Sequence, residues 1–326
     1  MNKVELLKNL PDLLIDKKVI WFLGSGTSSP GMPLLGNFKM PSGGYDIKRL
    51  LEEIADRNRR LLNAKYIEER RPLTRLNDEI IRTKDAYIGF LEAVLSTLNA
   101  TNAREIHKST DIFTTNYDLF IEYAADSLLH SSYRFVFNDG AQGYFSSILD
   151  SSNFDTTTAY KGRFDNYINE IPSLNLIKPH GSVNWKIADE SEKIIICKNV
   201  CEPPELVSPN GHEPDNTVLR RHFYEMFRYF EYETTKPETI IIVHGFSFGD
   251  EHILEMFNRA LENNRLLLII FAYTDAASQK IQEKFETSYR NLYVLSPSDF
   301  STGTSSAGKY IDLSQLTNIV LHGKML

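Results

Sequence analysis

Short apolar runs, each closed by turn or polar residues, recur along this 326-residue chain. Residues 19–23 run into Gly24-Ser25-Gly26-Thr27-Ser28, and Ile112-Phe113 into Thr114-Thr115-Asn116-Tyr117-Asp118. Residues 174–177 run into Lys178-Pro179-His180-Gly181-Ser182, and residues 240–243 into His244-Gly245-Phe246-Ser247. Runs this short, with no polar alternation, suit strands buried on both faces of a parallel sheet. Residues 265–271 and 291–295 supply two more. Helical spacing fills the intervals: residues 3–16, 119–129, the stripe Leu219, Phe223, Met226, Phe227 and Phe230, and stretches after Asp250 and Thr274. Strands alternating with helices predict an α/β fold, a Rossmann-like doubly wound parallel sheet. Ligands of such sheets bind outside the carboxyl ends of the strands, so the four polar tips are expected to meet at one crevice.

The link between the first two strands is too long for an ordinary βα connection. A loop rich in Pro and Gly, residues 29–44, leads into a charged stretch where Tyr87, Phe90, Leu91, Val94 and Leu95 share one helical face. This predicts a large helical insertion over residues 40–108, covering the site or serving a partner. Residues 138–170 read as an irregular excursion near the site. Residues 185–197 read as a β-hairpin around a polar centre at 188–193, and the proline-rich residues 201–216 as a loop. Residues 1–300 are taken as one catalytic domain that includes the insertion. Residues 301–308 read as a flexible link, and 301–326 as a C-terminal segment suited to a partner or oligomer contact.

A net charge of −7 argues against broad nucleic-acid binding. Arg57, Arg59, Arg60, Arg70 and Arg71 form either a local basic patch or a solvated helix face, and the second is favoured. The apolar runs fall short of the ~18 residues that span a bilayer, and residues 1–10 lack a signal-peptide core. A cytoplasmic, membrane-free protein is expected. Two cysteines, Cys197 and Cys201, neither build a disulfide framework nor suffice for a four-cysteine zinc site. No metal is expected.

Two glycines in the 24–29 turn permit a sharp bend and close approach to a ligand, and a helix starting there would offer N–H groups to phosphate. Ser29 stands where a dinucleotide fingerprint has its third glycine, and no Gly-Lys-Ser/Thr follows. The motif suggests either a nucleotide, without a standard hydride-transfer or ATPase site, or a bare strand-to-helix turn. Asn116 and Asp118 either cap the next helix or face the ligand. His180, beside Gly181, is a candidate general base or a structural histidine. Asp250-Glu251-His252 reads as a helix N-cap with an acidic first turn rather than a metal site. His212, His222, His244 and His322 are read as structural or exposed, and Trp185 as pocket wall or core.

In order, the chain holds Gly-Ser-Gly-Thr-Ser, Gly31-Met32-Pro33, Thr115-Asn116-Tyr117-Asp118, His180-Gly181 and Gly245-Phe246-Ser247. This resembles the sirtuin family, whose elements run Gly-Ala-Gly-x-Ser, Gly-Ile-Pro, Thr-Gln-Asn-Ile-Asp, His-Gly and Gly-Thr-Ser. The resemblance covers about residues 18 to 275. Two features depart from protein-deacylating sirtuins: the four zinc cysteines and the Phe-Arg after Gly-Ile-Pro are absent here. The insertion and the Gly-Phe-Ser-Phe-Gly-Asp-Glu-His run, residues 245–252, look more like bacterial sirtuin-like effectors of anti-phage defence, which hydrolyse NAD⁺ to nicotinamide and ADP-ribose.

The resemblance implies that NAD⁺ is substrate. It places the pyrophosphate on Gly24, Ser25, Gly26, Thr27 and Ser28, with Gly245 and Ser247 at the pyrophosphate or adenosine ribose and Thr274 or Asp275 at the adenosine. Asn116 would hold the nicotinamide ribose or the attacking water, Asp118 would shape the nicotinamide pocket, and His180 would act as base. It implies an oligomer and a partner: a HerA-like ring ATPase, an Argonaute-type protein or a phage protein. An NAD-dependent deacylase and a non-catalytic NAD⁺ or ADP-ribose sensor are the alternatives.

Overall fold

The run that begins at Val19 forms β1 (Lys18–Leu23) in a computed structural model that describes residues 2–70, 72–100, 107–160, 169–188, 193–208, 217–286, 288–300 and 310–321. Arg71, His212, His322 and the link at 301–308 lie outside the described residues, as do the side chain of Leu219 and most of the hairpin centre. Six further strands complete one parallel sheet: β2 (Ser109–Thr114), β3 (Val136–Asn138), β4 (Ser173–Ile177), β5 (Thr239–His244), β6 (Leu266–Phe271) and β7 (Leu292–Leu295). Their order is β7-β6-β5-β1-β2-β4-β3. The chain builds outward from β1 on one side, then crosses to β5 on the other. The reversal puts the turns after β1 and β5 side by side, where doubly wound sheets bind ligands.

Alternation along β1 explains the two layers. Val19, Trp21 and Leu23 join the core beneath α1 (Lys3–Asp16), α2 (Ile47–Leu62), α4 (Arg75–Ala100), α5 (Phe120–Leu129) and α9 (Leu313–Val320), with the short α3 (Ala64–Glu68) between α2 and α4. Ile20 and Phe22 join the core beneath α6 (Thr217–Thr235), α7 (Glu251–Leu261) and α8 (Asp275–Gln282). Trp21 meets Phe90 edge-on at 4.9 Å, and Phe22 meets Phe246 and Phe257 at 5.0 Å each. Such pairs add about 0.5–1.5 kcal/mol each beyond their buried area.

The helical insertion divides its work. Helix α4 lays Tyr87, Phe90, Leu91, Val94 and Leu95 onto the sheet and is a core layer. Helix α2 and the loop before it reach the cavity instead, through Leu50, Ile54, Met32, Pro33 and Leu35. The described arginines of the basic stretch are engaged: Arg57 with Glu53, Arg59 with Glu202, Arg60 with Asp56, and Arg70 over the Tyr66 ring. Arg59 and Arg60 fit the solvated helix face, whereas Arg57 is 13% exposed and also donates to Pro30 O at 3.0 Å.

Strand β3 was not expected. Its three residues are half-buried at the sheet edge, too short to carry a pattern. The hairpin forms, Trp185–Ile187 against Ile194–Ile196. It also recruits Ser147–Leu149 and Ala141–Gln142 into a four-stranded antiparallel sheet, so part of the 138–170 excursion is ordered strand. Trp185 and Ile194 form its small core, and Trp185 meets the buried His222 edge-on at 5.0 Å. Among the described residues no helix is long and apolar enough to cross a membrane.

Candidate active site

The turns after β1 and β5 press backbone to backbone. Gly24 N donates to His244 O at 2.9 Å, and Gly26 N to Gly245 O at 2.8 Å. A Cβ on Gly24 would lie 2.5 Å from Gly245 O, and one on Gly245, where φ is +67°, 2.2 Å from Thr27 N. These glycines are therefore required first by each other. Gly245→Ala is expected to lose roughly 1–2 kcal/mol from the backbone conformation alone, before the clash with Thr27. A urea midpoint indistinguishable from wild type would contradict this.

The α-helix start expected after the first turn does not form. Ser25–Ser28 makes one 3₁₀ turn and Ser29 is extended. Pro30 is the reason: it lacks an N–H and disfavours helical geometry at the residue before it. The next α-helix is α2, so no α-helix N-terminus directly follows the turn.

The predicted pyrophosphate residues separate accordingly. Ser25 and Ser247 are exposed and line a cavity of about 970 Å³ at the strand ends. Thr27 and Ser28 are buried and turned into the fold. Thr27 Oγ1 lies 2.9 Å from His244 O and 3.1 Å from His244 Nδ1. Burial lowers the pKa of His244, and the neutral ring donates Nε2–H to Ile311 O at 3.1 Å. Asp275 is exposed, accepts from Ser298 N at 3.1 Å and is not among the cavity residues. Hydrogen bonds from Ser296 and Ser298 hold its carboxyl below the usual range.

Asn116, at the tip of β2, is 6% exposed. Its Nδ2 donates to Gly24 O at 3.1 Å and to Ser28 Oγ at 3.0 Å, and Ser28 Oγ lies 2.8 Å from Tyr87 OH. Helix α4 thus braces the amide from behind. Asn116 Oδ1 is buried with no hydrogen-bond partner among the described residues, although Asn116 lines the cavity. An orphaned buried acceptor costs about 1–3 kcal/mol.

Asp118 is also buried. Its Oδ1 accepts from Phe120 N at 3.3 Å, so the capping alternative holds in part for Asp118 and not for Asn116. Burial raises the pKa of its carboxyl, against the pull of Lys178. Lys178 Nζ is held by Asp118 O at 2.6 Å, Glu122 at 2.8 Å and Ser182 at 2.8 Å.

His180 lines the same cavity, 13% exposed, with its ring stacked on Phe223 at 5.6 Å. Gly181 behind it has φ +82°, and a Cβ there would lie 2.5 Å from Glu205 O. Burial lowers the imidazole pKa below its ordinary 6.5, and Asp250 opposes that shift. His180 is therefore neutral at pH 7, the form that accepts a proton. Asp250 is the expected N-cap of α7, with Oδ1 accepting from His252 N and Ile253 N. Its Oδ2 lies 3.6 Å from His180 Nε2, an approach sequence reasoning missed.

The apolar stripe of helix α6 suggests core throughout, but it divides. Met226 and Phe230 pack under the sheet, while Phe223 and Phe227 wall the cavity beside Tyr224 and Arg228. The stripe is wider than one sheet contact requires. The polar partners Tyr224 and Arg228, one residue after each phenylalanine, were the available signal. His222 is structural, its Nε2 3.3 Å from Lys178 O and its pKa lowered to about 4 by burial. Among the described residues no cluster of His, Cys, Asp and Glu could hold a metal.

A family model described as a SIR2-like domain matches residues 110–294, more than half of the chain. A search of curated proteins returned no match. Among solved structures, the chain is similar to one described as a Sir2 homologue, a triple mutant in complex with 2'-O-acetyl ADP ribose. The two share 13% identity over 99% of this chain and 96% of the other, with a TM-score of 0.46.

Proposed function

This chain belongs to the SIR2-like domain family, whose sirtuin members use NAD, and on that premise we propose that it is an NAD⁺ glycohydrolase releasing nicotinamide and ADP-ribose. One observation carries the reading: Asn116, whose buried carbonyl has no partner among the described residues, and His180, whose imidazole pKa is lowered by burial, line one cavity. The residues fit the substrate. Ser25 and Ser247 offer hydroxyls in the same cavity, whose size is within the range of cofactor pockets.

Nicotinamide in NAD⁺ is already cationic, so it leaves with the electrons of the glycosidic bond and needs no acid. What remains is to place water on the anomeric carbon and remove its proton. Asn116 Oδ1 accepts from that water or from a ribose hydroxyl, and His180 takes the proton. Asp118 closes the nicotinamide end, where a nearby carboxylate favours developing positive charge. The resemblance of residues 245–252 supports a role as an anti-phage effector that depletes NAD⁺. It also supports activation within an oligomer by a co-encoded partner such as a HerA-like ring ATPase.

The base must be neutral, and its pKa is depressed. Activity is therefore expected to hold as pH falls to 6.5 and to fail only below it. An acid limb centred above 6.5 would remove His180 from the role.

The test is nicotinamide release from NAD⁺ by the purified protein at high concentration, with and without candidate partners, beside calorimetric titration of NAD⁺. Release supports the hydrolase. Binding without release under every condition overturns it in favour of a sensor, and release only with an acyl-lysine peptide in favour of a deacylase.

A further inference from the structure

We propose that Asp250 is the positioning residue for His180, capping α7 with one carboxylate oxygen and aligning the imidazole with the other. The inference rests on the hydrolase reading for its chemistry and on geometry for its existence.

The carboxylate is held from the far side. Oδ1 lies 3.1 Å from His252 N and 3.3 Å from Ile253 N, so the first turn of α7 fixes its plane. Oδ2 is left facing His180 Nε2 at 3.6 Å, ion-pair range and slightly beyond a hydrogen bond. Phe223 stacks on the imidazole and limits its rotation. Both side chains are on the cavity wall, Asp250 31% exposed and His180 less.

Lys178, two residues from His180, is turned into the fold onto Asp118 O, Glu122 and Ser182. Helix α6 lines the cavity with Arg220, Arg228 and Glu231, and α7 with Glu251, His252, Glu255 and Arg259, the last paired with Glu231 at 2.7 Å. Among the described residues, Asp250 is the charged group that acts appreciably on His180.

A carboxylate facing Nε2 selects the tautomer with the proton on Nε2, which leaves the lone pair on Nδ1. When water attacks the anomeric carbon, its proton passes to Nδ1, nicotinamide leaves with the glycosidic electron pair, and the imidazolium charge forms beside Asp250. No further oxidant or cofactor enters the balance.

The test is Asp250→Asn, chosen because Asn caps a helix as well as Asp does while removing the charge. The His180 imidazole is titrated by NMR, its resonance assigned by its loss in His180→Gln. In Asp250→Asn its midpoint is expected to fall by about half a pH unit or more, with Tm held near that of wild type. Nicotinamide release should show kcat reduced about tenfold or more, KM little changed, and the acid limb moved to lower pH. Asp250→Glu should recover part of both. An unchanged titration midpoint in a folded Asp250→Asn protein overturns the proposal, and so does an unchanged kcat. Binding without release by wild type under every condition, candidate partners included, would refute the hydrolase reading alone, because the titration decides the Asp250–His180 pairing without turnover.

Discussion

Asn116→Ala is expected to release nicotinamide about 10²–10³-fold more slowly than wild type, the usual loss when one preorganised polar group is removed from a reacting centre. The side chain is locked before any ligand arrives. Its amide nitrogen is spent on Gly24 O and Ser28 Oγ, so the carbonyl has one direction left. The bracing hydroxyl of Tyr87 comes from α4, and its ring stacks on Phe120 at 5.3 Å. Truncation removes the acceptor and lets Ser28 relax. KM should change less than kcat, because the group acts on water or ribose rather than on the bulk of the dinucleotide. A folded Asn116→Ala protein that turns over at the wild-type rate would end the assignment. His180→Ala should lose about 10²–10⁴-fold by the ordinary worth of a general base.

Asp111→Ala is expected to cost about 3 kcal/mol of stability, the lower end for breaking a buried ion pair. Asp111, in β2, is 1% exposed. Its Oδ1 accepts from Asn175 at 2.8 Å and from Tyr229 OH at 3.3 Å, and its Oδ2 lies 2.9 Å from Lys18 Nζ. Burial would discharge Lys18, yet Asp111 and Glu233 together more than offset it and keep the ammonium charged. Glu233 remains after the substitution and keeps one partner for Lys18, which places the loss near the bottom of the range. Urea unfolding should show a lower midpoint with an unchanged slope. A loss under about 1 kcal/mol would mean that water takes the place of the carboxylate.

The doubly wound core was legible because its strands are buried on both faces and must be apolar throughout. Residues 19–23 and 240–243 can be nothing else. The edge strand at Val136 and the strands at Ala141 and Ser147 carry too few buried positions to leave a pattern. The 3₁₀ turn after β1 was legible in principle, since Pro30 forbids the helix that Gly24 and Gly26 suggest. Asn116, Asp118 and His180 were found by residue type at strand ends, and the structure puts all three on one cavity. Asp250 illustrates what sequence cannot carry: its capping role is local, over two and three residues, while its approach to His180 joins segments seventy positions apart. Phe223 and Phe227 show the converse, where an apolar stripe reads as core whether it faces a sheet or a ligand.

The bond from His244 to Ile311 O bears on how shortened versions of this protein should be interpreted. Residues after 300 look detachable by composition, yet Ile311 holds the ring that lies behind the first glycine turn, and Leu313, Leu316, Ile319 and Val320 are buried in the core under α4. A deletion ending at residue 300 would strip a wall from the molecule and unseat the histidine together. Any loss of assembly in that deletion would report damaged architecture, so a docking role for the tail is better sought by changing exposed positions such as Tyr310 one at a time.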